Sequence, residues 1–262
     1  MSIMLPSLNS AQLSLADVLP SCLSSLGIQQ LPNALELAPV RSAVVVLVDG
    51  LGAQNLSSAS AHARFLSKNS SPETHLSTVF PSTTAAALAS FTTGATPGQH
   101  GMTGYRVLNP ESGEVLNLLT GLGALTNPSS WLRCDPLYAL AEENGITPSV
   151  VAHPRFADTP LTHIIHEGAL QLSAKTIDDR VQAVLSTLNK PGQHLIVLYI
   201  SELDELAHNK GVSSAEWAAA LESVDGAIKE LSDRIPEGSG ALCHSRSRCA
   251  GCQTVTTFSV WT

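Results

Sequence analysis

Two apolar runs without alternation constrain this chain most. The stretch Arg41-Ser-Ala-Val-Val-Val-Leu-Val-Asp49-Gly-Leu-Gly52 is β-branched and apolar until a carboxylate and a glycine turn end it. His194-Leu-Ile-Val-Leu-Tyr-Ile200 repeats the pattern and leads straight into Ser201-Glu-Leu-Asp204-Glu-Leu-Ala-His208. A strand wet on one side alternates in polarity, whereas a strand apolar throughout is covered on both faces. Both runs are thus expected to be inner strands of a mostly parallel sheet.

Helical patterns between the strands complete an α/β order. Asp135-Pro136 through Asn144-Gly145 carries an Asp N-cap, a Pro at the first helical position and a Gly stop. Thr147 to Ala152 reads as a strand. Ile177, Val181, Val184, Leu185 and Leu188 form one apolar stripe ahead of the His194 strand. Ser213-Ser-Ala-Glu216 has the spacing of a capping box and opens a helix that buries Trp217, Leu221, Val224, Ile228 and Leu231. With 262 residues, 44% of them hydrophobic, the chain can bury one large core. Residues 1–40 read as a Ser-, Leu- and Pro-rich leader that packs on the domain in helical pieces.

Chemistry gathers at three places. In Thr78-Val-Phe-Pro-Ser-Thr-Thr-Ala-Ala-Ala-Leu-Ala-Ser-Phe-Thr-Thr-Gly94, an apolar run breaks at Pro81 and an alanine-rich helix follows. A hydroxyl therefore sits at a helix N-terminus, where free N–H groups and the dipole favour an anion; an ordinary Ser/Thr N-cap reads the same way. Asp204 and His208 are four apart, one helical turn, and could form half of a divalent-metal site. Asp49 and Asp204 both follow the carboxyl end of a strand, where open α/β sheets bind ligands. Asp49-Gly-Leu-Gly52 is not a dinucleotide fingerprint, since its acid precedes the glycines.

Taken together, Val48-Asp49-Gly50, Phe80-Pro81-Ser-Thr-Thr-Ala, Thr93-Gly94, Pro97-Gly-Gln-His100-Gly101 and Tyr199-Ile-Ser-Glu-Leu-Asp204 with His208 resemble the alkaline phosphatase superfamily. The resemblance is to its type I phosphodiesterase/nucleotide pyrophosphatase branch. It implies an alkaline-phosphatase-like sheet with helices on both faces over residues 41–242, with a substrate-facing insertion at 107–174. It also implies two divalent ions, zinc, with Asp49 and Thr84 on one and Asp204 and His208 on the other. In the family the nucleophile lies nine residues before the Thr of Thr-Gly; counting back from Thr93 gives Thr84, with Thr83 the nearest competitor. A divalent pair about 4 Å apart would activate that hydroxyl and stabilise both the attacking and the leaving oxygen at phosphorus. The implied course is a phospho- or nucleotidyl-threonine that water releases.

Two departures stand out. The family's phosphate-binding asparagine is replaced by Tyr105, whose hydroxyl could still donate to phosphate. The family's Thr-x-Asp-His-Gly segment is missing; after Leu242 the chain reads Cys243-His-Ser-Arg-Ser-Arg-Cys-Ala-Gly-Cys252. One codon set permitted for Cys243 through Cys249, TGT CAC AGC CGA TCA CGG TGC, read one base later gives Val-Thr-Ala-Asp-His-Gly. A shifted frame would explain the change, so the domain is expected to be incomplete at its C-terminus, with 243–262 a disordered tail. A small zinc site of Cys243, His244, Cys249 and Cys252 is the competing reading.

The expected activity is metal-dependent hydrolysis of a small phosphate ester or nucleotide by a diesterase or pyrophosphatase. In this polypeptide it is expected to be impaired, because ligands are missing. A phosphomonoesterase, sulfatase or phosphonate hydrolase on the same scaffold, or a non-catalytic phosphate-binding remnant, are the rivals. The net charge of −8 and the lack of a basic patch argue against nucleic acid as partner. No apolar run reaches the roughly 20 residues of a membrane span. The N-terminus lacks a basic n-region and the cysteines form no disulfide framework, so a cytoplasmic, reducing location is expected. His153, His163 and His166 read as ordinary loop or surface histidines.

Overall fold

A computed structural model describes residues 13–70, 75–246 and 254–261. Nine strands run in chain order: β1 (Ser42–Asp49), β2 (His75–Ser77), β3 (Arg106–Leu108), β4 (Val115–Asn117), β5 (Ile146–Ala152), β6 (Leu170–Ser173), β7 (Gln193–Ile200), β8 (Ser239–Arg246) and β9 (Thr254–Trp261). The helices up to the insertion are α1 (Val18–Ser25), α2 (Ala53–Ser58), α3 (Arg64–Lys68), α4 (Thr84–Thr93) and α5 (Pro97–His100). Beyond it come α6 (Tyr138–Glu143), α7 (Pro160–Ile165), α8 (Ile177–Leu188), α9 (Glu202–Lys210) and α10 (Ala215–Arg234).

The main sheet has the order β2-β9-β8-β1-β7-β5-β6. From β8 to β6 all pairings are parallel; β9 is antiparallel to β8 and to β2. Every residue of β1 is buried, as its unalternating sequence predicts. Val44, Val46 and Val48 join Ile196, Leu198 and Ile200 under α8, α9 and α10. Ala43, Val45 and Leu47 join Leu195 and Val197 under α1, α4 and α6 on the other face. A third cluster fastens the 107–174 region to the outer side of α4, through Ala85, Ala89, Leu118, Leu161 and Ile165. No helix among the described residues is long and apolar enough to cross a membrane.

Local boundaries shift where tertiary bonds compete with caps. α6 begins at Tyr138, three residues after the expected Asp135 cap, because the Leu137 N–H donates to Thr92 O at the end of α4 (2.8 Å). It stops as expected, with Gly145 in the left-handed region (φ 76°). The α10 cap is Ser214 rather than Ser213; its hydroxyl accepts from the Trp217 N–H at 3.2 Å. The apolar stripe of α10 is buried as expected.

The expectation of a disordered tail from Cys243 is corrected by the backbone. β8 continues through Arg246 in register with all of β1, and 254–261 forms β9 against it. Backbone hydrogen bonds pair strands whatever the side chains are, and Thr254-Val-Thr-Thr-Phe-Ser-Val-Trp261 is rich in β-branched and aromatic residues. Of the competing zinc site, only Cys243 has a described side chain. Cys243 is buried in the core under α10, where burial raises its thiol pKa and keeps it neutral. Cys249 and Cys252 lie outside the described residues.

Candidate active site

The site begins where β1 ends. Asp49 is 4% exposed. Gly50 turns the chain at φ 84°, and a Cβ there would lie 2.3 Å from Asp204 N and 2.4 Å from its Cα. Only glycine allows the β1 turn to press against the backbone that follows β7. Gly50→Ala should therefore push the two loops apart. It is expected to cost about 2–4 kcal/mol of stability by denaturant titration.

The loop after β7 is pinned from beneath. Arg180 of α8 is fully buried. Its Nε donates to Thr176 O (3.2 Å), Nη1 donates to Tyr199 O (2.8 Å), and Nη2 donates to Glu202 Oε1. The other Glu202 oxygen accepts the Ser201 N–H at 2.9 Å. A buried guanidinium is tolerable only when paired and hydrogen-bonded in this way. The anchored loop opens α9, on which Asp204 Oδ2 and His208 Nε2 are 3.7 Å apart. Asp204 is largely buried and His208 is exposed. Tyr199 donates its hydroxyl to Asp49 Oδ2 at 2.8 Å.

Thr84 is the first residue of α4 and is buried. With Asp49, Tyr199, Asp204 and His208 it lines one cavity of about 530 Å³. Thr83 is the N-cap and does not line that cavity; its Oγ1 is buried without a partner among the described residues. Four residues expected from separate segments thus meet at one place. Tyr105 does not join them: it is 45% exposed and absent from the cavity lining. A larger hollow of about 660 Å³, between 98–111 and 125–133, contains none of the four.

Two cavity residues carried no signal in the sequence. Arg155, in the turn after β5, donates to Glu205 Oε2 (2.6 Å) and Ser201 Oγ (2.9 Å). His166, read as an ordinary loop histidine, lines the cavity and places Nδ1 3.2 Å from the Tyr138 hydroxyl. His153 caps its own turn, accepting from the Arg155 N–H, and His163 is exposed. Among the described residues, no group of three His, Cys, Asp or Glu is close enough to hold an ion.

His100 supports α4 from outside the cavity. Its Nδ1 accepts the Met102 N–H (3.1 Å), which leaves Nε2 to carry the proton toward Ser90 Oγ (2.8 Å). Burial lowers its pKa to about 4, and desolvation lowers that of His166 to about 4. An unfolded histidine titrates near ~6.5. Between those values the unfolded chain binds protons that the folded chain refuses, so these two groups make stability fall as pH drops from 6.5 toward 4. In denaturant titrations at pH 7.5, 6 and 5, His100→Gln should be less stable at pH 7.5 but show a shallower decline.

A model of the type I phosphodiesterase / nucleotide pyrophosphatase family matches residues 43–242, a span that holds Asp49, Thr84, Asp204 and His208. Among solved structures, murine ectonucleotide pyrophosphatase/phosphodiesterase 5 aligns at a TM-score of 0.60 and 18% identity, covering 80% of this chain and 58% of its own. An inactive form of the same murine protein in complex with AMP aligns at 0.60 and 17% identity, with the same coverage. The human protein aligns at 0.58 and 17% identity, covering 78% of this chain and 56% of its own. These likenesses are of fold, and the chain spans under three fifths of the length of these neighbours. Comparison with curated proteins gives no match. The matched span, the parallel sheet and the solved neighbours agree: the chain belongs to the type I phosphodiesterase/nucleotide pyrophosphatase family, within the alkaline phosphatase superfamily.

Proposed function

We propose that this cavity hydrolyses phosphodiester or pyrophosphate bonds, with Thr84 as nucleophile and divalent ions, zinc by chemistry, on Asp49, Asp204 and His208. The observation that carries the reading is the convergence of these four residues on one cavity. Two carboxylates and an imidazole are donor types that suit zinc. Bound ions would supply the positive charge that favours an alkoxide and an anionic phosphoryl group. Thr84, at the N-terminal turn of α4, would form the new P–O bond as the leaving oxygen departs, and hydrolysis of the phosphothreonine would return the hydroxyl. Tyr199 would hold the Asp49 carboxylate in place. AMP in the murine neighbour makes a nucleotide the first substrate to try.

We further propose that the polypeptide as written is impaired. The register pairs Asp49 with Arg246 at the end of β8. With the codons given above, the shifted frame would put an aspartate at that same position, beside Asp49. The missing third ligand among the described residues also favours the rival reading, a non-catalytic phosphate-binding remnant.

Turnover of bis(4-nitrophenyl) phosphate and 4-nitrophenyl phosphate, with zinc and after EDTA, separates these readings. The diesterase should prefer the diester by about tenfold or more and lose activity to EDTA. Preference for the monoester, or for a sulfate ester, would move the protein to the phosphomonoesterase or sulfatase side. Phosphate binding without turnover at any zinc concentration marks the remnant.

A further inference from the structure

Arg155 is the single lysine or arginine among the residues that line the cavity, whereas Asp49, Asp204 and Glu205 all contribute carboxylates. A substrate with one anionic phosphate can be served by ions at the aspartates. A second phosphate next to it would meet carboxylates unless Arg155 received it. The guanidinium is held for such a task. Nη1 is fixed by Glu205 at 2.6 Å and Nη2 by Ser201 at 2.9 Å. Its carbon lies 4.7 Å above the Phe156 ring, and Phe156 meets Tyr199 edge-on at 5.6 Å. Tyr199 in turn holds Asp49. Arg155 is thus braced against the helix that carries Asp204 and His208 and, through two rings, against Asp49.

A guanidinium has five N–H groups in a planar fork. Two are used here, and the other three have no protein partner among the described residues. That arrangement suits an anion which adds to the Glu205 contact rather than replacing it. Because the fork is already positioned, little freedom is lost on binding.

We infer that Arg155 is the receptor for the second phosphate of a pyrophosphate-containing substrate, and that the Arg155–Glu205 pair sets preference for two adjacent phosphates over one. The inference rests on the phosphate-ester reading of the cavity.

Calorimetry of the whole chain at fixed zinc tests it, with the non-hydrolysable α,β-methylene analogue of ADP against AMP. The wild-type chain should bind the two-phosphate ligand about 10- to 100-fold tighter, the range expected of charge-assisted hydrogen bonds. Arg155→Met should bring that ratio near one and leave AMP affinity within about twofold. Arg155→Lys should keep part of the ratio, and Glu205→Gln should lower it by loosening the hold on the guanidinium. A wild-type ratio near one, or a ratio untouched by Arg155→Met, overturns the inference. Thr84→Ala separates the two levels. If it abolishes hydrolysis while the ratio ignores Arg155, this inference fails and the proposed function stands. If the ratio depends on Arg155 while Thr84→Ala hydrolyses like wild type, the proposed nucleophile fails instead.

Discussion

Diesterase activity should rise by about a hundredfold or more when Cys243→Val, His244→Thr, Ser245→Ala, Arg246→Asp, Ser247→His and Arg248→Gly are made together and the chain is extended in the shifted frame. β8 runs beside β1 in parallel register, and position 246 is opposite Asp49. A residue type that carries positive charge at this register position would disfavour the proposed ions, whereas an aspartate would offer them a ligand. The same exchange removes Arg246 from the end of a central strand, and Arg248, which lies outside the described residues, loses its charge as well. The restored protein should therefore also melt higher, and more so with zinc, since an ion that binds only the folded state stabilises it. Equal turnover and equal melting temperatures in the two proteins, assayed side by side with zinc, would sink both the frameshift and the assignment of the missing ligands.

Within that restored background, Thr84→Ala should lower turnover by about a thousandfold or more, the scale seen when a covalent nucleophile is removed. Thr83→Val should leave turnover within a few-fold. The two threonines are neighbours in sequence but not in situation. Thr84 faces the cavity from the first turn of α4, and Thr83 caps the helix outside the cavity lining. The buried, unpartnered Thr83 hydroxyl is no asset to stability, so exchange for an isosteric valine should be neutral or slightly favourable to folding. Single-turnover assays with phosphothreonine detection give the reading directly. A Thr84→Ala enzyme near wild-type rate would falsify the assignment.

What the sequence disclosed, and what it did not, follows from how each feature is encoded. β1 and β7 were legible because burial on both faces leaves an unbroken apolar run. Asp49, Thr84 and Asp204 were readable as candidates because each ends a strand or lies in the first turn of a helix, and His208 because it stands one helical turn from Asp204. Gly50 shows the limit. A glycine after a strand suggests a turn, but its 2.3 Å approach to Asp204 is a tertiary fact about a segment more than 150 residues away. Arg155 and His166 lie on irregular turns and pair with distant partners, so no periodicity marks them. β9 was missed for a different reason. Thr254-Val-Thr-Thr-Phe-Ser-Val-Trp261 is rich in β-branched and aromatic residues, but its apolar positions do not alternate strictly.

The place of β1 in the sheet order has a consequence for how the protein is made. Both of its neighbours come late: β7 begins with Ser42 facing His194, 152 positions on, and β8 pairs Ser42 with Ser239. At synthesis rates of about 5–20 residues per second, β1 waits on the order of 10–30 s before its first strand partner exists. For that interval a nascent chain carries Val-Val-Val-Leu-Val with both edges open, a template for association with other chains. Long-range parallel pairing is also slow once the partners are present. The proposed active-site cavity, built from the carboxyl ends of these same strands, is therefore among the last features to appear, and production of this protein should depend on holdase chaperones more than its final stability would suggest.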